Sequence, residues 1–77
     1  MQVNILTPDS QLYSGEASLV QFPGSGGSFE VLNNHAPIIA SLAKGTIKVI
    51  TNDKQTLNFE ITGGVVDVNN NNILVLA

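Results

Sequence analysis

"GTIKVITNDKQTLNFEIT", residues 45–62, is the stretch from which the fold can be read. In its first half Ile47 and Val49 share one face, and Thr46 and Lys48 take the other. In its second half Leu57, Phe59 and Ile61 alternate with Thr56, Asn58 and Glu60. Such alternation marks half-buried strands, because successive side chains of a strand point to opposite faces. Thr51-Asn52-Asp53-Lys54, between the halves, is a turn tetrad. Residues 45–62 therefore read as a β-hairpin.

The same pattern continues in both directions. After Gly63-Gly64 comes "VVDV", another strand, and then the four asparagines Asn69 to Asn72. Asparagine tolerates the left-handed backbone of a tight hairpin, so "NILVLA" returns as the closing strand. Toward the N-terminus, "QVNIL" and "ASLVQF" read as strands, separated by the turn "TPDS" and the short strand-like "QLYSG". "FPGSGGS" is a loop, "FEVL" a short strand and "PIIASL" another, with Ile38 and Ile39 favouring strand over a helical turn. The expectation is a single all-β domain over residues 1–77, an antiparallel β-sandwich or flattened barrel of about eight to ten short strands.

Composition narrows the function. The 77 residues are 43% hydrophobic, enough for a core, and contain no cysteine to cross-link it. Lys44, Lys48 and Lys54 are the only basic side chains besides His35, and the net charge is −3. Nucleic acid and anionic lipid both need a cationic footprint, so neither is an expected partner. "MQVNIL" lacks the pattern of a signal peptide, and no apolar run approaches the ~20 residues that span a bilayer. The expectation is a soluble protein without membrane insertion.

The residues offer little chemistry. His35 is the only histidine, so any hydrolase triad would have to use it, and no serine sits in a Gly-x-Ser-x-Gly elbow. The ordinary reading of His35 is a partly packed ring bonded to backbone. One histidine and scattered acids give no metal-ligand spacing. "GSGGSF" has neither the third glycine of a dinucleotide fingerprint nor the lysine of a phosphate loop. Catalytic residues, cofactor and metal are therefore expected to be absent. A carrier domain acylated on Lys54 is the alternative, because Asp53-Lys54 lies at a hairpin tip; the acid- and Gly-rich flanking strands of such carriers are missing.

One stretch is unusually dense in special residues. "GGSFEVLNNHAPII", residues 26–39, holds a Gly pair, two asparagines, His35 and Pro37. Pro37 fixes its own φ and pushes Ala36 toward an extended conformation. Asn33 and Asn34 permit a sharp reversal, and Gly26 and Gly27 permit backbone shapes closed to other residues. Two neighbouring rigid corners at one end of the sandwich are expected.

The order of these signals resembles the N-terminal β-sandwich of the epsilon subunit of F-type ATP synthases (delta in mitochondria). Tyr13-Ser14-Gly15, Gly26-Gly27, His35-Ala36-Pro37, Leu42 with Gly45, Gly63-Gly64 and the closing "NILVLA" match that family in order. Glu30 and Asn33 replace its usual glycine and proline, and Ser28 a common acid. The resemblance covers the whole chain. It implies a non-catalytic rotor subunit that couples the c-ring to gamma, on the cytoplasmic side of the bacterial inner membrane. It further implies that Gly26, Gly27, Ser28, Phe29, Asn34, His35, Ala36 and Pro37 contact those partners. Many members continue into two C-terminal helices, whereas this sequence ends at Ala77, after its last strand. The chain is either a naturally short member or a fragment, and if the 77 residues are the entire subunit, no brake on ATP hydrolysis through its own conformational change is expected.

Overall fold

A computed structural model describes residues 1–77. It contains eight strands: β1 (Gln2–Leu6), β2 (Gln11–Phe22), β3 (Phe29–Leu32), β4 (Ile38–Leu42), β5 (Gly45–Thr51), β6 (Thr56–Ile61), β7 (Gly64–Asn69) and β8 (Asn72–Leu76). They form one curled sheet in the order β4-β7-β8-β1-β2-β5-β6, with β3 also paired to β2. The all-β sandwich expected from the alternation is the fold observed.

β2 makes the curl possible. "QLYSG" and "ASLVQF" read as two strands in the sequence but form one strand of 12 residues. Its first half pairs with β1, and its second half pairs with β3 and β5. The register slips between Ala17 and Leu19, leaving Ser18 as an extra residue. A bulge of this kind bends a strand and increases its twist. The chain thus passes from one layer to the other without a loop, which is why no turn residues separate the two segments. Ser18 Oγ donates to the carbonyl of Ile50 at 3.3 Å, which satisfies the hydroxyl at the bend.

β5 and β6 form the expected hairpin, with Ile47 opposite Phe59 and Val49 opposite Leu57. The asparagine run makes the expected turn: Asn70 and Asn71 have φ of 52° and 61°, and Asn69 pairs with Asn72. β1 and β8 are the exception to antiparallel pairing, running parallel from Gln2–Asn72 to Leu6–Leu76. Alternation is the same in either orientation, so the pattern could not reveal this. Only a short hairpin connection forces antiparallel pairing, and these strands come from opposite ends of the chain.

The core lies between the layers. One layer contributes Val3, Ile5, Leu42, Val66, Val68, Ile73 and Val75; the other contributes Val20, Phe22, Val31, Ile47, Val49 and Ile61. Val31, Val20 and Val49 form a continuous row across β3, β2 and β5. β-branched side chains suit such pleated rows. No polar side chain is buried in this core, and no buried side-chain polar atom lacks a partner. Leu57 and Phe59 are half-buried, because β6 is the last strand of the sheet. The Phe59 ring instead meets Tyr13, with centroids 5.7 Å apart.

Candidate functional site

The residues singled out in the sequence flank β3. Gly26, Gly27 and Ser28 belong to the loop that enters it, Phe29 is its first residue, and Asn34, His35, Ala36 and Pro37 leave it. A strand carries its flanking loops at opposite ends. Four residues at about 3.3 Å each place these corners about 13 Å apart. The expectation of two neighbouring corners at one end is therefore wrong. Closeness in sequence across a short strand is not closeness in space.

The Gly-rich loop folds onto the far end of β4. Gly24 bridges Leu42, and the Ser25 N–H donates to the carbonyl of Ser41 at 3.0 Å. Ser41 Oγ donates to Ser25 Oγ at 3.0 Å, and the Ala43 N–H donates to the carbonyl of Pro23 at 2.7 Å. Gly27 has φ of 127°, a conformation that favours glycine. Gly26 has no such constraint, and nothing lies where its side chain would be. The close approach falls instead at Gly24, where a Cβ would strike the Phe29 ring. That ring packs on buried Phe22 with centroids 5.4 Å apart. Phe29 thus belongs mainly to the packing under the loop, whereas Gly26, Gly27 and Ser28 are exposed.

The second corner is a β-turn. The His35 N–H donates to the carbonyl of Leu32 at 3.2 Å, and Asn34 takes the left-handed position with φ of 64°. The Met1 ammonium donates to Asn33 Oδ1 at 2.8 Å and to the carbonyl of Ala17 at 3.1 Å. It also lies 3.5 Å from Glu16 Oε1. The Asn34 N–H donates to Asn71 Oδ1 at 2.8 Å. His35 Nδ1 lies 2.7 Å from the carbonyl of Ala36. A carbonyl only accepts, so Nδ1–H is the donor in this contact. The ring is half-buried, and Ala36 and Pro37 are exposed.

Between the corners runs the outer side of β3, where Glu30 and Leu32 are exposed, Leu32 by 53%. β3 pairs only with β2, so its other edge is open. The eight residues thus define a strip along an edge strand. Sequence reasoning placed Asn33 in the reversal without its bond to Met1, and missed Leu32, Ser41 and Asn71 as parts of the strip. The asparagine run signalled a turn, but nothing local in it indicated a contact with a residue 37 positions away.

The strip has no catalytic grouping. No three His, Asp or Glu side chains are grouped so as to hold a metal ion, and the hydrogen bond of the His35 ring is to backbone. One surface depression adjoins the strip at Pro37 and is otherwise lined by Ile38, Ile39, Asp67, Val68 and Asn69, and another, away from it, is lined by Leu6, Thr7, Pro8, Leu76 and Ala77. Lys54 is an exposed turn residue with φ of 68°, and its N–H donates to the carbonyl of Thr51 at 2.9 Å.

Known proteins match the chain along its whole length. Residues 1–77 match the family described as the ATP synthase Delta/Epsilon chain, beta-sandwich domain. The ATP synthase epsilon chain of Caulobacter vibrioides is 40% identical over 78 residues, covering 100% of this chain and 88% of its own. That of Chlorobium limicola is 35% identical over 75 residues, covering 97% and 85%. Among solved structures, the Tetrahymena thermophila mitochondrial ATP synthase central stalk/c-ring contains a similar chain. It has a TM-score of 0.85 at 21% identity, covering 99% of this chain and 61% of that one, a likeness of fold. The edge-strand strip, the bulged β2 and the Val-rich core are thus features of a chain that belongs to the ATP synthase delta/epsilon-chain β-sandwich family.

Proposed function

We propose that this chain is a central-stalk subunit of an F-type, proton-translocating ATP synthase, coupling rotation of the c-ring to gamma. The observation that carries this reading is the full-length match to epsilon chains of bacterial ATP synthases. The name of the Tetrahymena assembly, central stalk/c-ring, supports the same position. The carrier reading of Lys54 has no comparable support.

The geometry suits a part that transmits force. The eight strands form one hydrogen-bonded sheet around a 15-residue apolar core. Interiors packed in this way have low compressibility and transmit strain. Both corners are tied by hydrogen bonds to elements far away in sequence, so a load applied at the β3 edge is spread over the sheet. The site of ATP chemistry lies on other subunits, and this chain supplies contact surface. Gly26, Gly27, Ser28, Asn34, His35, Ala36 and Pro37 form the surface toward gamma and the ring, with Phe29 bracing it from beneath. No helix is long and apolar enough to cross a membrane. The chain sits at the cytoplasmic side of the bacterial inner membrane through the complex.

Affinity capture of the tagged chain from its own membranes tests this position. Gamma and the c-ring should be recovered in fixed ratio. Recovery of neither from membranes that contain assembled synthase would remove the proposal.

A further inference from the structure

The asparagine turn between β7 and β8 does more than reverse the chain. Asn70 and Asn71 both occupy left-handed backbone positions. A glycine at the second position would serve that turn at least as well, since Asn-Gly is a preferred pair in such hairpins. The turn's geometry therefore does not explain the Asn71 side chain. Its Oδ1 accepts the N–H of Asn34 at 2.8 Å, joining the β7–β8 turn to the β3–β4 corner across 37 residues.

The turn is well placed to hold that corner. The Asn71 carbonyl accepts the N–H of Gln2 at 3.2 Å, which ties it to β1. Asn72 Nδ2 donates to the carbonyl of Asn70 at 3.0 Å, which stiffens the loop. Asn34, by contrast, is exposed and left-handed, and it directly precedes His35-Ala36-Pro37. An exposed left-handed asparagine can also be solvated in other conformations, so a fixed acceptor restricts its choice.

We infer that Asn71 is a positioning residue for the His35-Ala36-Pro37 corner. Its side-chain oxygen sets the orientation in which the corner meets its protein partner. The β7–β8 turn and the β3–β4 corner then act as one unit. This contribution to docking rests on the function proposed above.

The test uses the whole chain with two substitutions. Asn71→Gly keeps the backbone conformation and removes the acceptor. Asn71→Asp keeps an acceptor oxygen in the same place. Amide hydrogen exchange is read by NMR, together with affinity for the gamma–c-ring subcomplex. In Asn71→Gly, exchange at Asn34 and His35 should rise roughly five- to tenfold, the scale of one lost hydrogen bond, while core amides stay unchanged. Affinity should fall several-fold. Asn71→Asp should restore both. Unchanged exchange at Asn34 in Asn71→Gly would overturn the positioning role, as would a uniform rise across the core. A rise confined to Asn34 and His35 with unaltered affinity would leave the latch standing and overturn the docking role of this corner.

Discussion

Gly64 and Leu76 approach so closely that a methyl group added to Gly64 would overlap the Leu76 carbonyl oxygen. Gly64 also has φ of 142°, a region that other residues avoid. The contact lies where β7 enters the sheet between β4 and β8. Gly64→Ala should therefore cost about 2–4 kcal/mol, from strain and overlap together. Gly26→Ala, whose added group would meet nothing within 4 Å, should stay within about 0.5 kcal/mol of wild type. Urea melts of both variants check this. Equal losses would contradict the assignment of which glycines the backbone requires.

Two phenylalanines test the depth of the core. Phe22 is fully buried, so Phe22→Ala should cost about 3–5 kcal/mol. Phe59 alternates inward as its sequence suggests, but on an edge strand it stays half-buried against Tyr13. Phe59→Ala should cost about 1–2 kcal/mol, because only part of its surface leaves water. Denaturant midpoints give the order, and a larger loss at Phe59 would place the core boundary elsewhere.

What the sequence revealed follows from the range of each signal. The hairpin at residues 45–62 was legible because alternation and turn chemistry are local. The merging of two apparent strands into β2 was hidden, because a bulge at Ser18 leaves no mark that differs from a short break. The parallel pairing of β1 with β8 was hidden because alternation carries no direction. The candidate strip was legible as a set of residues but not as a shape. Gly27 and Pro37 announce turns, yet their separation depends on how long β3 runs between them. The Asn33–Met1 and Asn34–Asn71 bonds join distant positions through exposed polar groups, which leave no periodic pattern.

Separation of the corners changes what charge substitutions should do. Ser28→Arg acts at one end of β3 and His35→Glu at the other. On the docking role proposed for this strand, each places a new charge in the partner contact, so each should weaken binding to the gamma–c-ring subcomplex. Both residues lie outside the buried core, so the free domain should remain folded. Sites this far apart should combine additively, within about 0.5 kcal/mol. Titration of the two single variants and the double variant checks this, and unchanged affinity in both single variants would move the contact off this strand.

Coupling itself is most directly measured as proton-driven ATP synthesis in inside-out membrane vesicles stripped of this chain. Synthesis should be lost on stripping and return in proportion to wild-type chain added back. The chain carrying both Ser28→Arg and His35→Glu should restore far less at the same concentration. Synthesis that continues undiminished in vesicles lacking the chain would contradict a role in coupling the ring to gamma.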